Sequence, residues 1–167
     1  MIHSPELEKK LLEKVIEMGD MGIKVTTEDL PFLIADLSGD EAEEKIHIES
    51  CIVTSGKGVV PTASLALNYN GQIYKEAGMG DGGYDAFMEA LSKIAEKINL
   101  TLPQLVDYQV RIPPGGKTSA LVETIISWDK NPDSKNDTSF RTVGLNSDQI
   151  SAAIMATEKM LNLLLRT

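Results

Sequence analysis

Apolar residues recur at two spacings along the chain, and the changes of spacing mark its elements. Leu7, Leu11, Val15 and Met18 fall three or four apart, which places them on one face of a helix. Ser4 can cap that helix, Pro5 suits its first position, where no N–H is needed, and Gly19 ends it. A second, shorter helix is expected in "KVTTEDLPFLIADLSG". Thr26 and Asp29 resemble a capping box, Pro31 moves the start toward 27–29, and Gly39 closes it. The charged run "DEAEEK" follows. It sets a boundary near residue 43 between a helical appendage, 1–43, and a main domain, 44–167.

In the main domain the spacing changes to two. "IHIESCIVTSG" (46–56) and "TASLALNYNG" (62–71) alternate Ile, Val and Leu with polar residues, the mark of half-buried strands. Asn70 and Gly71 predict a hairpin into "QIYKEAG" (72–78). Helical spacing then returns through Tyr84, Phe87, Leu91, Ile94 and Ile98, and Asn99 ends the run. The same order repeats. "LVDYQVRI" (105–112), "SALVETIISW" (119–128) and "SFRTVG" (139–144) read as strands, with the polar loop "DKNPDSKND" before the third. A final helix is expected from about Ser147, with Ile150, Ile154, Met160, Leu161 and Leu164 on one side. Each half is βββα, 44–100 and 101–167. The expected fold class is α+β: two pseudo-twofold-related βββα units with antiparallel sheets, preceded by a small helical subdomain. The helix starts are paired as Gly80 with Asp85 and Gly144 with Asp148.

Composition narrows the function. The chain has 167 residues, 42% hydrophobic and 25% charged, as in ordinary globular domains. No apolar run approaches the ~20 residues of a membrane helix. The first ten residues lack the order of a secretory signal, and Cys51 is the single cysteine, so the expected compartment is the cytoplasm. The net charge of −9 and the scattered basic residues argue against nucleic acid. His3 and His47 are the two histidines, without ligand spacing for a metal.

The stretch "EAGMGDGGYDAF" (76–87) contains G-x-G-x-x-G at 78–83, between a strand and a helix. Asp107 even lies near the distance expected for a ribose-binding acid. Four features oppose a dinucleotide. The preceding strand arrives through a tight hairpin and pairs antiparallel. Asp81 and Asp85 put negative charge where a pyrophosphate would sit. The second copy, "VGLNSDQI", lacks the glycine run. The chain is short for a dinucleotide domain with a substrate domain. Glycines that only turn the strand into the helix are the plainest reading. A sharper one is a small-zwitterion site. Helix N–H groups and dipole suit a carboxylate, and the adjacent aspartate suits an ammonium.

"GMGDGGYDAFMEALSKI", "GGKTSALVETIISW" and "RTVGLNSDQISAAIMATEKMLNLL" together resemble the C-terminal regulatory domain of 2-isopropylmalate synthases and citramalate synthases, over about residues 44–166. Residues 4–40 resemble the helical linker subdomain before it. The resemblance implies a homodimer that binds leucine or isoleucine as a feedback inhibitor where two regulatory domains meet. It carries effector-binding roles to Gly80, Gly82, Tyr84, Asp85, Leu105, Thr118, Val122, Ser147 and Gln149. Asp85 would hold the ammonium, and N–H groups at 82–84 or 147–149 the carboxylate. Leu105, Val122 and Tyr84 would line the side-chain pocket.

Plainer roles stand beside these. Core packing would explain Tyr84, Leu105 and Val122. Capping or turning would explain Thr118 and Gln149, and the helix dipole Asp85. Gly83 replaces the family's usual Pro, and Tyr84 a smaller aliphatic. The bulkier Tyr84 leans the effector toward isoleucine and the parent toward a citramalate synthase.

The family's catalytic part is a metal-dependent barrel of about 250 residues, which this sequence does not contain. No catalytic residue, metal ligand or cofactor is expected within it. The divalent metal and acetyl-CoA of the parent transferase would belong to that barrel. The alternatives are a ligand-free dimerisation module and a free-standing amino-acid sensor. An enzyme acting through the glycine loop lacks a nucleophile–base pair.

Overall fold

The computed structural model describes residues 4–20, 25, 30–38, 45–112 and 121–166. Two helices come first, α1 (Pro5–Asp20) and α2 (Leu30–Ser38). Then follow β1 (Ile46–Thr54), β2 (Thr62–Tyr69), β3 (Gln72–Met79) and α3 (Gly83–Lys97). The order repeats as β4 (Gln104–Arg111), β5 (Val122–Asp129), β6 (Ser139–Asn146) and α4 (Gln149–Arg166). The fold is α+β with two βββα units, each a three-stranded antiparallel sheet, β1-β2-β3 or β4-β5-β6. The boundary expected near residue 43, and Thr118, lie outside the described residues.

Local chemistry accounts for the turns. Asn70 and Gly71 both take positive φ, 51° and 83°, as the hairpin type that matches strand twist requires. The Asn68 side chain accepts the Gly71 N–H at 2.9 Å. Asn99 takes φ 54° after α3, a conformation Asn tolerates at helix ends. The last helix starts two residues later than expected, because Asp148 is its cap. The Asp148 carboxylate accepts the Ser151 N–H at 2.7 Å, and Asn146 Oδ1 accepts the Asp148 N–H.

Both helices face one continuous core. Leu65 and Leu67 from the first sheet and Ile126, Trp128 and Phe140 from the second join Phe87, Leu91 and Ile94 of α3 and Met160 and Leu161 of α4. Each such large apolar side chain contributes about 1.5–3 kcal/mol on burial. The far side of the second sheet is covered too: Met18, Val25 and Leu33 pack on Ile125 and Val143.

The repeat is real, but the glycines at the two expected helix entries, Gly80 and Gly144, are not equivalent in packing. A Cβ at Gly78 would stand 2.4 Å from the Ala86 carbonyl and 2.6 Å from the Ala90 nitrogen. At Gly144 it would stand 1.8 Å from the Ala152 carbonyl and 2.9 Å from the Ala156 nitrogen. In both units the glycine lets the helix, at the same offset along the chain, press backbone to backbone on the third strand. Gly78 and Gly144 are the equivalent pair.

Candidate functional site

The glycine stretch forms the start of α3. Gly82 is its N-cap and carries no side chain to bond the first-turn N–H groups. The loop is closed another way. Asp85 Oδ2 accepts the Asp81 N–H at 2.9 Å, and the Gly80 N–H bonds the Pro61 carbonyl at 3.1 Å. A Cβ at Gly80 would stand 2.5 Å from that same Asp85 oxygen, so Gly80 lets the carboxylate fold back. Gly82 faces open space, whereas a Cβ at Gly83 would meet Val53 at 2.8 Å and Ile150 at 3.3 Å. Gly83 therefore leaves its space to those two side chains. β3 reaches this loop antiparallel to β2, which removes the parallel sheet a dinucleotide fold needs.

Tyr84 ties the two units together. Its hydroxyl lies 2.6 Å from Thr157 Oγ1 on α4. Thr157 already donates to the Ala153 carbonyl, so Tyr84 is the donor. The Tyr84 ring leans on Phe87 and on Tyr108, with centroids 5.7 and 5.3 Å apart, a favourable tilted arrangement. Burial pushes the Tyr84 phenol well above the usual tyrosine range; the Thr157 hydrogen bond opposes this, and Tyr108 adds slightly.

Tyr108 is the centre of the site. It projects from β4 on the core face, paired with Ile126. Burial raises its phenol; Gln149 and Thr124 beside it pull back, and Asp148 adds to the rise. Thr124 is fully buried. Although close to Tyr108, its hydroxyl makes no hydrogen bond of ordinary geometry among the described residues. An unmet buried hydroxyl costs about 1–3 kcal/mol.

Of the residues expected at an effector site, Gly80, Gly82, Tyr84 and Asp85 lie at the start of α3 and Gln149 at the start of α4, and Tyr84 and Gln149 meet at Tyr108. Val122 pairs with Asn146 at the same end of the second sheet, and exposed Ser147 follows directly. Leu105 does not join them. It pairs with Trp128, at the opposite end of β5 from Val122, about 20 Å away along the strand. Tyr108, Thr124 and Thr157 were missed. Alternation along 105–112 does place Tyr108 on an inward face, a usable signal. Nothing local marks Thr124 or Thr157. Among the described residues no group of three or more His, Cys, Asp or Glu could hold a metal. Burial raises the Cys51 thiol, which lowers its reactivity.

The outer strands of the two sheets are finished differently. Along β1, α4 supplies the missing bonds. Asn162 Oδ1 accepts the Ile46 N–H at 3.1 Å, its Nδ2 donates to the Ile46 carbonyl at 2.8 Å, and Glu158 accepts the Ile48 N–H at 2.5 Å. No helix side chain bonds the β4 backbone in this way among the described residues. There the Asp107 carboxylate accepts the Tyr108 N–H at a local bulge. Val106 and Ile112 are 60% and 66% exposed, and Leu105 and Val110 are exposed as well.

The exposed apolar residues of β4 lie on the strand that carries Tyr108, and the sequence matches a family described by dimerisation. The pattern of the family described as the LeuA allosteric (dimerisation) domain matches residues 24–165. The chain belongs to this family. An Archaeoglobus fulgidus protein, provisionally named (R)-citramalate synthase CimA, is 34% identical over 163 residues, 96% of this chain and 31% of the relative. The (R)-citramalate synthase CimA of Methanocaldococcus jannaschii is 33% identical over 76% of this chain and 26% of its own length. The 2-isopropylmalate synthase of the same organism is 33% identical over 71% of this chain and 22% of its own. The chain thus spans under a third of each of these three relatives. Among the described residues no helix is long and apolar enough to cross a membrane.

Proposed function

We propose that this LeuA-type domain is the amino-acid sensor of a citramalate or 2-isopropylmalate synthase. It binds isoleucine, or leucine, as a feedback inhibitor where two copies meet. The observation that carries this reading is the start of α3, whose first-turn N–H groups have no side-chain cap, set beside the Tyr84–Tyr108 pair. A carboxylate suits that end of the helix. The start of α4 is already taken by Asp148, whose charge would repel a carboxylate. Asp85 keeps its second oxygen for an ammonium.

The open β4 edge is the meeting surface in this reading. Two β4 strands side by side in opposite directions, centred on Tyr108, would bring Leu105 of one copy to the Val122 end of the other. That would complete an apolar pocket no single copy contains. Residues 1–43 would act as the linker to a catalytic barrel, and that barrel would hold the divalent metal and acetyl-CoA. Effector binding would inhibit by favouring one of two arrangements of the attached halves, which requires unequal affinity for the two.

Calorimetric titration with isoleucine, leucine and valine tests the proposal. Heat of binding is expected with isoleucine or leucine, and silence with all three overturns it. Asp85→Ala should abolish binding while the fold persists.

A further inference from the structure

The turn between β2 and β3 sets a reactive pair of residues at the tip of the first sheet. Asn70 and Gly71 are both exposed and follow the last cross-strand pair, Tyr69 with Gln72. An asparagine carboxamide is open to attack by the backbone nitrogen of the next residue. Glycine there leaves that nitrogen unshielded, because it has no side chain. In a two-residue turn the Gly71 N–H also has no partner in the strand ladder. Here a side chain supplies one: Asn68 Oδ1 accepts it at 2.9 Å. The Asn68 amide is itself fixed, since its Nδ2 donates to Glu49 Oε1 at 3.0 Å. Glu49 is the extra residue at the β1 bulge, and a bulge re-aims the side chain it carries. Glu49, Asn68 and Gly71 thus form a chain of bonds that ends on the nitrogen beside Asn70.

We propose that Asn70 is a self-modification site, a deamidating asparagine, and that Asn68 and Glu49 clamp it unreacted in the folded chain. The Gly71 nitrogen gives its proton to solvent base and attacks Asn70 Cγ. A bond forms from that nitrogen to Cγ, the bond from Cγ to the side-chain nitrogen breaks, and ammonia leaves with a proton returned by solvent. Water then opens the cyclic imide at either carbonyl, giving aspartate or isoaspartate. While Asn68 holds the N–H, the nitrogen can neither lose its proton nor swing toward Cγ. Conversion adds a negative charge beside Glu49. Isoaspartate also lengthens the backbone of a turn whose two strands are fixed in register, so it loosens β3, the strand whose Gly78 presses on α3. The inference is independent of the amino-acid-sensing reading.

The test is incubation of the 167-residue chain at mildly alkaline pH, with mass spectrometry of the peptides that carry Asn70 and Asn146. Asn146, which precedes Ser147 on the second sheet, is the internal reference. Asn68→Ala removes the clamp, and Asn70 should convert about fivefold faster, the worth of one ordinary hydrogen bond, with Asn146 unchanged. Asn68→Asp keeps the acceptor for Gly71 and loses the donor to Glu49, so its rate should fall between the two. Glu49→Ala, an exposed change that leaves the core alone, should give a smaller acceleration than Asn68→Ala. The parent unfolded in urea should convert at least as fast as folded Asn68→Ala. Absence of conversion at Asn70 in every variant and in urea would overturn the site. Equal rates in the folded parent, in urea and in Asn68→Ala would overturn the clamp. So would an equal acceleration at Asn146, which marks general loosening of the fold rather than release of one nitrogen.

Discussion

β1 and β4 hold equivalent places in the two βββα units, yet among the described residues helix side chains bond the outer backbone of β1 and not that of β4. Asn162 and Glu158 of α4 bond the β1 backbone at Ile46 and Ile48. By the offset that equates Gly78 with Gly144, their counterparts on α3 are Glu96 and Ser92. Ser92 turns back to the Met88 carbonyl, and Glu96 is exposed. The second unit's helix reaches across to the first sheet, and the first unit's helix does not return the favour. In place of a seal, α3 sends Tyr84 to stack on Tyr108. An edge strand left open is a template for pairing, and the proposed function uses β4 in that way.

Substitutions can break this comparison at several levels. The largest effect is expected where the two units agree. Gly78→Ala and Gly144→Ala each force a methyl into helix backbone, and each should cost about 3 kcal/mol or more. Gly82→Ala faces open space and should stay within about 0.5 kcal/mol. Urea denaturation of the three separates close packing from a mere preference for glycine. If Gly144→Ala melts like the parent, the equivalence of the two helix contacts is wrong.

Asn162→Ala comes next. It leaves the buried Ile46 N–H and carbonyl unmet, a loss of about 2–4 kcal/mol. Glu96→Ala, its counterpart on α3, should be nearly silent. Equal effects at both positions would erase the distinction between the edges.

Tyr84→Phe should cost about 1 kcal/mol near neutral pH, one hydrogen bond between the helices. Its pH dependence carries the sharper signature. Tyr84 and Tyr108 have phenols raised on folding, chiefly by burial. Their contribution is complete below the unfolded tyrosine value near 10 and is lost as pH rises through the folded values. Stability should therefore decline above about pH 10, and Tyr84→Phe should decline less steeply. Denaturant midpoints from pH 8 to 11.5 would show it, and parallel curves would remove the burial argument.

The smallest effect on folding is expected at the open edge. Val110→Lys should change monomer stability by no more than about 0.5 kcal/mol yet abolish self-association in sedimentation. Ile52→Lys, on exposed β1, should leave association intact. A Val110→Lys variant that still forms dimers would place the interface elsewhere.

Much of this was legible in the sequence, because it rests on contacts between near neighbours. Alternation at spacing two fixed the strands, spacing of three and four fixed the helices, and Asn70 with Gly71 set the hairpin. The family pattern lies in the same short stretches, and so do the glycine turn and Asp85. Gln149 and Val122 could be named, but not their distance from Leu105. That distance depends on the register of β4 against β5, which local spacing leaves undetermined.

The tertiary structure alone decided three matters. It made Gly78 rather than Gly80 the partner of Gly144, since only helix-on-strand packing shows which glycine a carbonyl presses. It set Asn162 against the β1 edge, because Asn162 meets Ile46 across most of the chain. It also buried Thr124 beside Tyr108. The sequence by itself determined which elements form, since each is written in residues a few places apart. Which strand edge a helix bonds and which glycine a helix presses depend on groups far apart in the chain, and packing alone brings those together.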